Sequence, residues 1–162
     1  MPLFTLKPGR YNDRVKTKAL YIFGAILMVP VLALAYYGLS PLFIHIQANE
    51  TAPVSAREVT LPAQVIGTAG HPASGTARIV RADGKAYVRY ENFKTLNGPD
   101  IRVYLAKDME AMDFIDLGQV RATEGNINYE IPAGVDIARY RYVLTWCKAF
   151  GVLFNYADLA GA

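Results

Sequence analysis

The longest apolar run in the sequence covers residues 19–46, and these 28 residues include no Lys, Arg, Asp or Glu. A helix of about 20 apolar residues spans the hydrocarbon core of a bilayer, which is roughly 30 Å thick. The run therefore predicts a transmembrane anchor over 19–46. A cleaved signal peptide is the alternative, because Ala33-Leu34-Ala35 resembles a cleavage site. The run is, however, longer than the roughly 7–15 apolar residues of a signal peptide.

Basic residues before the run predict its orientation. Residues 1–18 contain one acidic residue and five basic ones, namely Lys7, Arg10, Arg14, Lys16 and Lys18. Lys and Arg close to a span keep that end in the cytoplasm. The sequence thus predicts a basic cytoplasmic tail over 1–18, a single span of the inner (cytoplasmic) membrane, and a C-terminal domain on the periplasmic or extracellular side.

Tyrosines near both ends of the run fit the same interpretation. Tyr21 lies near one end, and Tyr36 and Tyr37 lie towards the other. Amphipathic aromatic rings are enriched where the bilayer meets water, so these three are predicted membrane-interface residues. The Ser40-Pro41 pair predicts the end of the main helix, because proline lacks a backbone N–H and cannot continue one.

The rest of the chain has a β pattern. Residues 47–60 are polar, with proline and small side chains, and they predict a linker. Residues 61–162 contain short apolar stretches at a spacing of about ten residues, which predicts seven or eight antiparallel strands in an all-β sandwich or barrel-like domain. Asp83-Gly84 predicts a tight hairpin turn. The predicted strands are 76–81, 85–93, 101–105, 114–121, 127–131, 141–147 and 152–157.

Charge and motifs narrow the function classes. The net charge of +3 derives from the tail, so the outer domain lacks the basic stripe of a nucleic-acid-binding protein. The expected partners are the lipid bilayer and integral membrane proteins. No phosphate-binding loop and no Gly-x-Ser-x-Gly motif occurs, and we expect no enzymatic activity.

Cys147 is the only cysteine and the main candidate for redox chemistry. Strand alternation places it on the face of Val143 and Thr145, opposite Trp146 and Leu144. A lone thiol could be redox-active, pair with a cysteine of another protein, or ligate a metal or haem. The alternative is a buried cysteine that acts as a small apolar side chain.

Metal ligands are few. A blue-copper centre needs two His and a Cys, whereas the outer domain offers His71 and Cys147, with Met109 and Met112 as axial candidates. We therefore predict no metal site and no cofactor, while a bound copper ion, or a haem bound through His71 or Cys147, stays open. An acidic group near the middle of the domain lacks the spacing of a calcium loop and predicts a solvated loop; its members are Asp108, Glu110, Asp113 and Asp116.

Several motifs in order point to one family. They are GTARIV, ENF, NGPDIRVYL, DLG, EGNINYEIP and YRYVLTWCKAFGVLFNYADL, within residues 65–159. This arrangement resembles the DM-thirteen domain family. The resemblance implies a β-rich extracytoplasmic domain described as an electron-transfer domain, with Trp146 and Cys147 as its redox candidates. The family-signature loop of this sequence is Asn97, Gly98, Pro99 and Asp100.

Two functional hypotheses result. The first is a membrane-anchored accessory or scaffold subunit of a larger membrane complex, with respiratory or photosynthetic electron transport as the expected setting. The second is an electron-transfer or thiol-redox protein that uses Cys147, with or without a bound haem or metal.

Overall fold

The computed structural model describes residues 10–160 and begins with one long helix. Helix α1 covers Arg10–Leu39 and contains Pro30. Its 30 residues extend about 45 Å at 1.5 Å per residue. The part from Val15 to Leu39 is long and apolar enough to cross a membrane, and none of it is buried within the protein. Such a helix near the N-terminus serves as a membrane anchor or as a signal sequence.

The helix is shifted towards the N-terminus relative to the predicted span. It begins at Arg10, so part of the predicted tail is helical, and it ends at Leu39, directly before the Ser40-Pro41 pair predicted to end it. A 3-10 turn over Ser40–Phe43 follows, with Pro41 in its first positions. The lack of a donor on Pro41 explains why the α-helix stops there.

The residues predicted for topology and the membrane interface lie along this helix. Lys7 falls outside the described residues, and Arg10 and Arg14 belong to the first turns of α1. The side chains of the other five are exposed, namely Lys16, Lys18, Tyr21, Tyr36 and Tyr37. Their roles at a membrane remain predictions.

Residues 39–162 belong to a second compact unit, which is almost entirely β. Its strands are β1 Gln47–Asn49, β2 Arg57–Glu58, β3 Ala63–Gln64, β4 Ile66–Gly67, β5 Ser74–Ala82, β6 Lys85–Lys94, β7 Ile101–Ala106, β8 Phe114–Gln119, β9 Glu124–Ile131, β10 Tyr142–Cys147 and β11 Val152–Asp158. A short 3-10 helix, Ile137–Arg139, connects β9 to β10.

The strands form two open sheets. The first sheet has the order β1-β9-β6-β5-β2, and β3 also pairs with β5. The second has the order β4-β11-β10-β7-β8. The predicted all-β sandwich is thus confirmed, and its barrel alternative is not realised in the described residues. The pairing is antiparallel except between β1 and β9, which are parallel.

The core lies between the inner faces of the two sheets. Alternate side chains of a strand point to opposite faces, and one set from each long strand is fully buried here. Ile79 and Val88 represent the first sheet, and Val103, Leu105 and Val143 represent the second; each is at most 1% exposed. Full burial of such a side chain contributes about 1.5–3 kcal/mol to stability, so this layer holds the sheets together.

The predicted hairpin is present. Strand β5 ends at Ala82 and β6 begins at Lys85, which leaves Asp83 and Gly84 as the two turn residues. Both have positive φ, +50° and +75°. Two successive positive φ values match the turn that fits the twist of a β-hairpin, and Asp-Gly is a favoured pair for it.

The predicted linker contains edge strands. Within residues 47–60, β1 pairs with β9 and β2 pairs with β5. The Glu50 carboxylate accepts a hydrogen bond of 2.8 Å from the Asn128 amide N–H. Arg89 donates to the Glu50 carbonyl at 3.1 Å. The composition gave no sign of these strands, because polar edge strands have no apolar alternation and their partners are distant in sequence.

A small polar group lies inside the otherwise apolar layer. Asn155 is buried and donates to the Thr95 hydroxyl at 2.8 Å. The Tyr90 hydroxyl, Thr145 Oγ1 and Asn155 Oδ1 are buried without a hydrogen-bond partner of normal geometry. Burial raises the pKa of Tyr90, and the neighbouring Thr145 hydroxyl only partly offsets this effect. The phenol therefore stays protonated in the folded protein.

This burial predicts a loss of stability at alkaline pH. An unfolded tyrosine loses its proton above about pH 10, whereas the pKa of folded Tyr90 is higher. Between those two pKa values the unfolded state binds fewer protons, so the free energy of unfolding falls as pH rises. In Tyr90→Phe the decline should be shallower by up to about 1.4 kcal/mol per pH unit. Urea unfolding of the detergent-purified protein at about pH 8 and about pH 11, followed by β-sheet circular dichroism, measures it.

The two pH values are compared within each variant, so the cost of removing the hydroxyl itself cancels. Equal pH dependence in Tyr90→Phe and the unsubstituted protein would contradict this assignment.

Candidate functional site

Cys147 is the last residue of β10 and points into the sandwich. It is 0% exposed and packs in a small cluster with Ile101 and Phe154. Leu96 and Val120 cover the cluster from the side. The face of β10 that carries Val143 and Thr145 is the buried face, so the alternation predicted from the sequence places the thiol as observed. Its surroundings are aliphatic and aromatic.

The signature loop, Asn97 to Asp100, lies over this cluster. A Cβ atom added to Gly98 would be 2.9 Å from Ile101 Cγ2 and 3.2 Å from Phe154 Cζ. Both distances are shorter than ordinary van der Waals contacts. The loop therefore reaches its position over Phe154 because residue 98 has no side chain.

Polar contacts hold both ends of the loop. At the first end, Asn97 Oδ1 accepts from the Gly98 amide N–H at 2.9 Å. At the other end, the Asp100 carbonyl accepts from the Lys148 N–H at 2.8 Å. The Asp100 carboxylate accepts from Arg102 Nε at 3.3 Å. The loop is thereby fixed to the residue that directly follows Cys147.

Arg102 joins the loop to the neighbouring strand β8. Its guanidinium forms ion pairs with Asp116 and with Asp100. The hydrogen bond to Asp116, followed by smaller contributions from Asp100, raises the pKa of Arg102 above its ordinary value. This arginine points away from the core, and two carboxylates balance its positive charge.

His71 lies near the same end of the sandwich. Its ring stacks on Phe154 with 4.0 Å between centroids. The Thr68 hydroxyl lies 3.2 Å from His71 Nδ1 and donates its single proton to the Leu153 carbonyl at 2.7 Å. The Thr68 hydroxyl is also 3.0 Å from the Phe154 carbonyl oxygen. Phe154 thus contacts both the imidazole and the thiol, and the described residues include no hydrogen bond between His71 and Cys147.

Trp146 belongs to the opposite surface. It packs on the outer face of the second sheet with Leu144 and Tyr104. The Tyr104 ring centroid is 6.5 Å from that of Trp146 and 4.1 Å from that of Phe114. Trp146 and Cys147 are neighbours in sequence, but they lie in different clusters on the two sides of β10 and do not share one centre.

The donor set does not fit a copper site. Within residues 10–160 no group of three or more His, Cys, Asp or Glu side chains is placed to hold a metal ion. Met109 and Met112 lie in the β7–β8 connection, where Met112 is 82% exposed. In the acidic group, Asp113 pairs with Lys107, and Asp116 pairs with Arg102.

Sequence reasoning missed Phe154. The pairing between β10 and β11 shifts register between Thr145 and Trp146, which leaves Phe154 without a cross-strand partner. Phe154 is 6% exposed and points to the cysteine, and the next residue, Asn155, is buried as well. A bulge of this kind interrupts strict alternation, and no sequence signal marked it.

Comparison with known proteins gives one match. The family model described as Electron transfer DM13 matches residues 65–159. No curated protein matches the chain, and no solved structure matches it. The matched region includes the signature loop, His71, Phe154 and Cys147. Because it spans more than half of the chain, the chain belongs to the electron-transfer DM13 family.

Proposed function

We propose that this chain is a non-catalytic accessory subunit of a larger membrane complex of respiratory or photosynthetic electron transport. Helix α1 anchors it in the inner membrane beside integral membrane proteins, and the sandwich acts as a rigid contact domain. The electron-transfer description of the family supports the setting. The chain performs this role without a metal or cofactor of its own.

The enclosure of Cys147 is the observation on which this proposal rests. A reactive thiol is partly exposed and has a positively charged neighbour. Cys147 is 0% exposed, and its cluster consists of Ile101, Phe154, Leu96 and Val120. A cysteine in such surroundings acts as a small apolar side chain. The thiol thus contributes packing under the signature loop.

The proposed orientation rests on charge. Lys16 and Lys18 lie on exposed positions of the first part of α1. Basic residues at one end of a span favour the cytoplasmic side for that end. The N-terminus is therefore cytoplasmic in this proposal, and the sandwich is on the periplasmic or extracellular side.

The outer face of the second sheet is the proposed contact surface for an integral subunit. It presents partly exposed aromatic side chains, Trp146, Tyr142 and Tyr156, around the buried Leu144. Aromatic residues are enriched at protein interfaces and dominate their binding energy. The corresponding outer face of the first sheet carries charged side chains such as Arg78, Arg89 and Glu91, paired with one another.

A thiol-redox function of Cys147 is the second candidate. It is favoured by the contact of Phe154 with both the thiol and the His71 ring. His71 is only partly buried, so a single aromatic side chain separates the thiol from a group that solvent reaches.

The Cys147→Ala variant distinguishes the two candidates. We expect the membrane complex to assemble normally and to keep its electron-transfer rate, because alanine preserves an apolar side chain at the cost of about 1–2 kcal/mol of stability. Native gel separation of solubilised membranes and a rate measurement on the isolated complex test this. A complex that assembles fully but loses a reversible redox transition would establish the thiol-redox function instead.

The same enclosure predicts a protected thiol. In the folded protein, Cys147 should react with a thiol reagent only on the timescale of unfolding, because it has no exposed surface. Gly98→Ala forces the loop away from Phe154 and Ile101, so it should accelerate labelling at least about tenfold. Mass spectrometry of timed labelling reactions measures both rates. Gly24→Ala is the control substitution, since Gly24 lies within α1 without a positive φ and no atom lies within 4 Å of its added Cβ, and it should leave the rate near that of the original protein.

The proposed contact surface is tested with Trp146→Ser. Loss of a central aromatic side chain from an interface typically costs at least about 2 kcal/mol of binding energy, so the chain should dissociate from its complex during gentle detergent extraction. Tyr87→Ser is the matched control, because Tyr87 is a partly exposed aromatic residue on β6 of the first sheet. If both variants remain bound as the unsubstituted chain does, the outer face of the second sheet is not the interface.

A further inference from the structure

A cavity of about 530 Å³ opens at the end of the sandwich away from Cys147. Strand β10 runs from Tyr142 to Cys147, and the cavity is lined by Arg141 and Leu159 at the Tyr142 end. Its volume lies within the roughly 300–1,000 Å³ of small-molecule sites. The cavity shares no lining residue with the cluster around Cys147, so it is independent of the function proposed above.

The floor of this groove is apolar. Ile79, Ile137 and Leu159 line it and are 0%, 8% and 9% exposed. Val59 forms one edge and is 43% exposed. Ile79 is closed to solvent, and Val59, Ile137 and Leu159 present the apolar surface of the groove, which suits the hydrocarbon or aromatic part of a ligand.

Arg81 is an exposed residue that lines the groove. It lies on β5 two positions after Ile79, so it continues the inward face of the strand into the groove. Its side chain has neither an ion pair nor a hydrogen bond within residues 10–160. Arg57 is its cross-strand partner on β2 and is equally unpaired in the described part of the chain. Like charges directly opposite each other are destabilising unless an anion separates them.

Arg139 is the second residue of the groove lining with an unpaired guanidinium in the described part of the chain. Arg139 ends the 3-10 helix whose Ile137 forms the floor, and it is exposed with no ion pair among the described side chains. Arg141 also lines the groove, but Asp158 binds it through two hydrogen bonds of 2.9 and 2.6 Å. Asp136 is the one carboxylate among the lining residues. The rim therefore keeps an excess of positive charge.

We infer that this groove binds an organic carboxylate with an apolar body, such as an acyl or aryl acid. The guanidinium groups of Arg81 and Arg139 bind the carboxylate, since the planar fork of arginine matches the two oxygens of a carboxylate. The apolar body covers Val59, Ile137 and Leu159. Neither a neutral apolar molecule nor a small inorganic anion satisfies both parts of the groove.

Binding of three naphthalene derivatives to the full chain in lipid nanodiscs tests the inference. The probes are 2-naphthoate, the neutral 2-naphthylmethanol and 2-naphthyl phosphate, and equilibrium dialysis against empty nanodiscs corrects for partition into lipid. We expect saturable binding of naphthoate and at least about tenfold weaker binding of the alcohol, because a charge-assisted hydrogen bond contributes about 1.5–3 kcal/mol.

The doubly substituted protein Arg81→Gln/Arg139→Gln should lose at least about tenfold in naphthoate affinity. Lys148→Gln removes one positive charge at an exposed position beside Cys147, outside the groove, and should change the affinity less than about twofold. Both substituted positions of the double variant are exposed, so we expect its thermal unfolding to match that of the original chain.

Three results would overturn the inference. They are equal affinity of the double variant and the original chain for naphthoate, equal affinity for the alcohol and the acid, and tighter binding of the naphthyl phosphate, which would assign a phosphate ligand. Failure of this test leaves the accessory role untouched, because that role depends on Cys147 and Trp146.

Discussion

The packing of the inner face of β10 against the first sheet is the constraint on which the rest of the domain depends. Val143 lies in the central apolar layer, Thr145 faces the buried Tyr90, and Cys147 lies in the cluster beneath the signature loop. Because β10 is central in its sheet, it pairs with β7 on one side and β11 on the other. Val143 and Thr145 thus pack against the first sheet, while Cys147 packs against Ile101 and Phe154 of its own sheet.

The same strand separates two kinds of surface. Its inward residues are enclosed, while Trp146 on the outward side joins an aromatic group with Tyr104 and Phe114. The adjacent residues of the Trp-Cys pair therefore lie in different environments. The cysteine is buried at one end of the core, and the tryptophan belongs to a partly exposed aromatic face.

The two ends of the sandwich are closed differently. At the Cys147 end, Gly98 allows its loop to lie directly on Phe154 and Ile101, and the thiol is fully buried. At the other end, the 3-10 helix crosses between the sheets and leaves Ile79 and Leu159 at the bottom of an open groove. At the first end, the loop packs closely because Gly98 has no side chain. At the second end, Arg81, Arg139 and Arg141 line the groove.

Local pattern in the sequence was enough to predict the apolar helix, most of the long strands, the Asp83-Gly84 turn and the opposite directions of Trp146 and Cys147. Each follows from the periodicity of a short segment or from the φ preference of single residues. The family was also recognisable from its motifs.

Tertiary structure decided the remaining features. The parallel pairing of β1 with β9, the inward turn of Phe154 at the bulge, and the placement of Arg81 and Arg139 in the lining of one groove all join residues that are distant in sequence or depend on a register shift. Periodicity states which residues share a face, but only the pairing and packing of the sheets determine which face becomes buried and which residues meet there.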